Sequence, residues 1–167
     1  MPTSVQTPTW ISPEGAAFIQ QGVSINVASR DVRHVPSLSR ALGCRIAPDG
    51  KTLSIVMVAS QCETLIRDLQ KTAAIAVVFS QPSTHRSLQI KGHDAVVTPP
   101  TDEDRALVVS TRLAFAAEIA PLGFPKEFSD RLFQHAPDDL CVVTFTPEAV
   151  YRQTPGAGAG TRLEVVP

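Results

Sequence analysis

Apolar and polar residues alternate from Val23 to Ala28, the period-two pattern of a strand with one buried face. Two further strand-like runs, Leu38 to Ile46 and Thr52 to Val58, flank Ala47-Pro48-Asp49-Gly50-Lys51. Pro presets φ and Gly accepts positive φ, so this segment predicts the turn of a hairpin. Ala73 to Phe79 is continuously apolar, rich in β-branched residues and too short for a free-standing helix, which predicts a buried central strand ending at Ser80-Gln81-Pro82-Ser83. Ser87 to Gly92, Ala95 to Thr98 and Leu140 to Thr146 follow as strands, and Tyr151-Arg152-Gln153 is expected to extend the last one after the break at Pro147. The polar, basic stretch from Arg30 to Pro36 reads as a loop.

Helix signals fall between these runs. Ser12-Pro13-Glu14 has an N-cap followed by Pro at the first helical position, with Gly22 as a stop. Ser60-Gln61-Cys62-Glu63 has the form of a capping box, and Cys62, Leu65, Ile66 and Leu69 then recur at helical spacing. Thr101 with Asp104 starts a third helix to about Ala120, and a short fourth spans Lys126 to His135. The order does not alternate strand and helix as a doubly wound sheet requires. It predicts an α+β, mainly β fold, a closed or partly closed antiparallel barrel with flanking helices. A lone sheet with helices on one face is the alternative.

Length and charge narrow the function. The 167 residues suit a single domain over 1–167, with a flexible tail from about 155 where Pro155-Gly156-Ala157-Gly158-Ala159-Gly160 forbids a regular element by itself. A formal net charge of -1 argues against nucleic acid or acidic membranes as partners, and leaves a small molecule or another subunit. No run approaches the ~20 apolar residues of a membrane span. Cys44, Cys62 and Cys141 are odd in number and far apart, which suggests neither a disulfide framework nor zinc and fits reduced thiols in a cytoplasm. Cys44 reads as a buried small hydrophobe. His34, His85, His93 and His135 show no ligand spacing, so no metal is expected. The Gly-rich tail does not join a strand to a helix, which rejects a nucleotide loop.

Pro36-Ser37-Leu38-Ser39-Arg40-Ala41-Leu42-Gly43, followed by the Pro-Asp-Gly turn and a strand, resembles the flavin-phosphate segment of the pyridoxamine-5'-phosphate-oxidase-like split β-barrels. Arg86-Ser87-Leu88-Gln89-Ile90-Lys91-Gly92 resembles their later Arg-led strand ending in Gly, and the likeness spans roughly Glu14 to Pro99. The resemblance implies a homodimer with flavin mononucleotide (FMN) in the groove between two barrels. It places Arg40 at the phosphate, since a guanidinium is a permanently charged fork of donors matched to phosphate oxygens. It lays the backbone of Ala41, Leu42 and Gly43 along the flavin edge, sets Val58, Ala59 and Ser60 near the phosphate, and leaves Ser87 or Gln89 for the pyrimidine edge. His85 enters the same strand as a candidate proton donor. Arg30, Arg33 and His34 are either a guide for an anion or a solvated loop.

Two departures shape the expected function. Where the family has a Thr and then a Lys or Arg after the third strand, Val58-Ala59-Ser60-Gln61-Cys62-Glu63-Thr64 contains no cation. Gln153-Thr154-Pro155-Gly156 stands in place of the oxidase's Trp- and Arg-containing C-terminal segment. The expectation is therefore an FMN-dependent oxidoreductase acting on a small molecule other than pyridoxamine phosphate. The alternative is a ligand-binding dimer that holds flavin or haem without turnover, or has lost its site.

Overall fold

A computed structural model describes residues 8–164 of the chain. Its strands are β1 (Ser24–Arg30), β2 (Pro36–Ile46), β3 (Leu53–Val58), β4 (Ile75–Ser80), β5 (Ser87–Gly92), β6 (Val96–Thr98), β7 (Leu140–Phe145), β8 (Ala149–Arg152) and β9 (Arg162–Leu163). The helices are α1 (Pro13–Ile19), α2 (Glu63–Thr72), α3 (Asp102–Ile119) and α4 (Lys126–Leu132). All strand pairs are antiparallel, in the order β6-β7-β3-β2-β1-β4-β5-β8-β9. The sheet curls until the end of β5 meets the end of β7: a Cβ on Gly92 would lie 2.6 Å from Phe145 Cδ2 and 2.7 Å from the Thr146 oxygen. The mainly β, barrel-like fold predicted from the pattern is the one observed.

The hairpin between β2 and β3 turns as its chemistry dictates. Gly50 has φ of 69° and donates to the Ala47 oxygen at 2.8 Å, while the Asp49 carboxylate accepts from the Lys51 amide. Inward residues of the strands, among them Ile25, Val27, Ile55, Val77, Phe79, Ile90, Val143 and Phe145, form the barrel core. Phe18 and Ile19 of α1 and Leu65 and Leu69 of α2 complete it. Burying each such side chain contributes about 1.5–3 kcal/mol, so the interior is the main source of stability.

A second, separate core lies outside the barrel. Leu42, Val56, Val58, Leu140 and Val142 point outward from β2, β3 and β7 and are covered by Val108, Phe115 and Ile119 of α3 and by Phe133 after α4. Every residue of β3 is consequently buried. Thr101 and Asp104 form the predicted capping box of α3, and Asp104 also receives Arg45 of β2 at 3.0 Å. This ion pair ties the start of α3 to the sheet.

Three expectations need correction. Ser60 does not cap α2, whose N-cap is Cys62 with no side-chain bond to the helix amides; the Ser60 hydroxyl and amide both bind the Asp139 carboxylate instead. Tyr151 and Arg152 do not extend the strand before Pro147. They belong to β8, which pairs with β5 at the other end of the sheet, because the chain reverses at Thr146 to Glu148 and Glu148 N bonds the Lys91 oxygen at 2.9 Å. Helix α4 stops at Leu132, three residues before His135, where Phe133 turns inward. The Gly-rich segment is folded back on β8, with Gly160 N donating to the Arg152 oxygen at 2.7 Å. Residues 165–167 of the expected tail lie outside the described residues.

Candidate functional site

The registers of β2, β1, β4, β5 and β8 line up outward-facing positions across the sheet: Arg40 opposite Asn26, Asn26 opposite Val78, Val78 opposite Gln89 and Gln89 opposite Tyr151. The neighbouring rows add Ser24, Ser80 and Ser87 on one side and Leu38, Ala28, Ala76 and Lys91 on the other. Among the described residues no helix packs extensively on β4, β5 or β8. These side chains are mostly half-buried, since they shield only one another, and Leu38 is 71% exposed. The result is a wide mixed face on an antiparallel sheet, the kind of surface that a partner or ligand covers.

Arg40 stands at the border of this face with the α3-covered side. Its Nη1 donates to Ser24 Oγ at 3.4 Å, and its guanidinium carbon lies 5.2 Å from the centre of the Phe115 ring. Nε is shut off from solvent and has no hydrogen-bond partner, and no carboxylate among the described residues pairs with the group. Burial lowers the Arg40 pKa from its ordinary value, the sign of a charge stripped of water without compensation. A guanidinium in that state gains from an anion more than a solvated one does.

The next three residues go elsewhere. A β-bulge between Ala41 and Gly43 turns Ala41 into the barrel core and Leu42 into the second core. A Cβ on Gly43 would lie 3.1 Å from Leu107 Cγ and 3.1 Å from Thr111 Oγ1 of α3, so α3 lies directly over this backbone. Val58 is buried in the second core, and the Ala59 amide donates to the Asp139 oxygen. The Ser60 amide, at 2.8 Å, and the Ser60 hydroxyl grip the Asp139 carboxylate. Those two donors, the hydroxyl foremost, hold the Asp139 carboxyl below its usual range. A residue of the chain thus fills the anion seat expected at Ser60.

On β5 the Ser87 hydroxyl bonds Ser80 Oγ at 2.8 Å and the His85 oxygen at 3.1 Å, and Gln89 Oε1 accepts from Gln153 Nε2 at 3.2 Å. Gln89 keeps its own amide nitrogen free of protein partners among the described residues and faces the open surface. Arg40 and Gln89 are therefore brought onto one face, three strands apart, while Ala41 points into the barrel core, Leu42, Gly43 and Val58 lie under α3, and Ala59 and Ser60 are bound to Asp139. His85 sits in the β4–β5 turn with φ of 60°, and His34 at φ of 65° belongs to a loop organised by the Asp31 carboxylate, which accepts from the Arg33 and Val35 amides. No cluster of three metal-ligating side chains occurs among the described residues.

Sequence reasoning missed Asn26, Tyr151 and Lys91 on the open face, the last with its ammonium 5.0 Å from the Tyr151 ring centre. Alternation in β1 carried the signal for Asn26; the pairing of β8 with β5 carried it for Tyr151 and could not be read locally. Asp139 was missed because its partner is 79 residues away.

Solved structures identify the architecture. HupZ of Group A Streptococcus superposes with a TM-score of 0.56 at 15% identity, over 90% of this chain and 99% of that one. The chain has the pyridoxamine-phosphate-oxidase-like split-barrel fold. An F420 reductase shares that fold at a TM-score of 0.51 and 17% identity, over 83% of this chain and 98% of its own. So does a Lactobacillus delbrueckii protein named for pyridoxamine 5'-phosphate oxidase, at a TM-score of 0.50 and 14% identity, covering 86% of this chain and 94% of that one. No protein-family model and no curated protein sequence matches the chain. No helix among the described residues is long and apolar enough to cross a membrane.

Proposed function

We propose that this split barrel binds an anionic aromatic cofactor, FMN, between two copies that face each other across the outer surface of β1, β4 and β5. The observation that carries the reading is Arg40, a desolvated guanidinium with an orphaned Nε and, among the described residues, no carboxylate, at the edge of a mixed sheet face whose β4, β5 and β8 portion no described helix packs on extensively. Arg40 fits a phosphate. The Val58 to Ser60 segment does not, since Asp139 already occupies its donors. Phosphate binding accordingly rests on Arg40, with Ser24 beside it, and Gln89 offers its amide to the polar edge of the ring system. The partner copy closes the face and excludes water.

Bound flavin would supply the electron transfer, and the protein would supply orientation and electrostatic tuning. The names of two proteins that share the fold, a reductase and an oxidase, agree with a redox role on a small molecule. A second reading, binding without turnover, is favoured by Asp139 on Ser60, which removes one half of the phosphate site. Both readings are separated by one preparation: incubation with FMN, desalting, an absorbance spectrum, then addition of a nicotinamide donor.

Flavin bands that survive desalting in the wild type and vanish in Arg40→Met support the site. Bleaching by the donor selects the oxidoreductase, and stable yellow colour selects the carrier. No retained flavin in the wild type overturns the cofactor, and a light-scattering mass of one chain overturns the pairing.

A further inference from the structure

Cys62 and Cys141 lie 79 residues apart in sequence, yet the fold brings their sulfurs to 3.9 Å. Cys62 precedes α2 and its thiol donates to the Val58 oxygen at 3.0 Å; Cys141 is the second residue of β7, opposite Met57. The two segments are clamped together next door, where Ser60 holds Asp139. Both thiols are buried, but Cys141 also lines a cavity of about 460 Å³ between β7 and the β6–α3 connection, walled by Val97, Thr98, Pro99, Pro100 and Arg105. Cys44, the third cysteine, is sealed in the barrel core with its thiol donating to the Ile19 oxygen at 2.9 Å.

We propose that Cys141 and Cys62 form a redox dithiol, in which a small hydroperoxide enters the β7 cavity, oxidises Cys141, and Cys62 resolves it to a disulfide. The Cys141 thiolate attacks one peroxide oxygen, the O–O bond breaks, an S–O bond forms and the departing hydroxide takes a proton to leave as water. The Cys62 sulfur, giving up its proton, then attacks the Cys141 sulfur; the S–S bond forms and the sulfenic oxygen leaves as a second water. Two thiols are oxidised by two electrons and one hydrogen peroxide is reduced to two waters.

Geometry assigns the order of events. Cys141 borders the cavity, whereas Cys62 stands behind it with its proton committed to neighbouring acceptors. Burial pushes the Cys44 thiol up and leaves it protonated. Closing a bond of about 2.05 Å from 3.9 Å needs a shift of the start of α2 toward β7. Cys62 lies just after the short 3-10 turn Ala59–Gln61 and caps α2, its oxygen accepting from Ile66 N at 2.8 Å, so the turn and the first residue of the helix move together.

The test exposes the full-length protein to hydrogen peroxide, quenches with an alkylating agent under denaturing conditions, and maps peptides. The expected result is loss of the Cys62 and Cys141 thiols together, a Cys62–Cys141 linked peptide lighter by two hydrogen atoms, and full recovery with reductant, all with Cys44 still alkylated. In Cys62→Ser the same treatment should leave Cys141 as a sulfenic acid that a dione probe captures. Alkylation of both cysteines after peroxide, or oxidation of Cys44 before Cys141, overturns the proposal; so does a Cys62→Ser protein in which Cys141 takes no probe while its unfolding curve matches the wild type.

Discussion

On one side of the barrel, the outward residues Leu42, Val56, Val58, Leu140 and Val142 are sealed by α3 and the segment after α4; on the other, among the described residues, no helix packs extensively on β4 and β5, which carry Ser80, Ser87 and Gln89. The change happens within a single strand. Leu38 of β2 is 71% exposed, Arg40 is half-buried at the border, and Leu42 is 2% exposed. The same sheet therefore supplies a finished core on one half and an unfinished surface on the other. The difference locates stability in the first and points binding toward the second.

The largest effect expected on the sealed side comes from Phe115. It is buried, tilts against Phe133 with ring centres 5.7 Å apart, and lies under the Arg40 guanidinium. Phe115→Ala should cost about 3–5 kcal/mol in denaturant unfolding, whereas Leu38→Ala on the open side should change it by no more than about 0.5 kcal/mol at concentrations where the chain is a monomer. Equal costs would break the comparison.

Gly22→Ala comes next. A Cβ at Gly22 would collide with the backbone of Ala114 and Phe115, so the loop before β1 and α3 must separate. Overpacking of this kind costs about 1–3 kcal/mol, again visible as a lower denaturation midpoint. Gly22 was legible as a helix stop, but the reason it must be Gly lies in α3, more than ninety residues on by the numbering.

A smaller effect should follow from acid. Burial opposes ionisation of Asp104, yet the Thr101 amide and hydroxyl and then Arg45 outweigh it and hold its pKa below the ordinary value. A depressed carboxyl contributes stability that is complete above its unfolded pKa, about 3.9, and is lost as pH falls through its lower folded value. Thermal unfolding between pH 6 and pH 3 should show a decline that is shallower in Asp104→Asn, whose own melting temperature starts lower. An equally steep decline in the variant would remove Asp104, and with it the anchoring of α3, from the acid response.

Local chemistry explains what the sequence revealed. The Pro48-Asp49-Gly50 turn, the Thr101 box and the strand Ser87–Gly92 were readable because their hydrogen bonds close within a few residues or follow a period of two. Ser60-x-x-Glu63 had the right letters for a cap and lost Ser60 to Asp139, a long-range partner that no local pattern contains. Arg40 was readable as a strand residue with a fork of donors. That α3 would cover Leu42 and Gly43 and leave Arg40 at the edge depends on a bulge and a helix sixty residues later, as the numbering of Leu107 and Thr111 shows.

The smallest expected change in stability belongs to Arg40→Met, and it is the one that sharpens the comparison most. If the sealed side holds the fold and the open side holds the ligand, Arg40 belongs to the second although it touches Phe115 of the first. Its Nε finds no partner, so replacing it with an apolar chain of similar length removes a desolvation cost together with a single 3.4 Å bond to Ser24. The denaturation midpoint should stay within about 0.5 kcal/mol of the wild type or rise. Retention of FMN, by contrast, should fall by at least about tenfold, the loss of a charge-assisted bond worth about 1.5–3 kcal/mol. A variant that loses more than about 2 kcal/mol of stability would make the guanidinium a structural strut of the α3 side, and the open face would lose Arg40 as its anion seat.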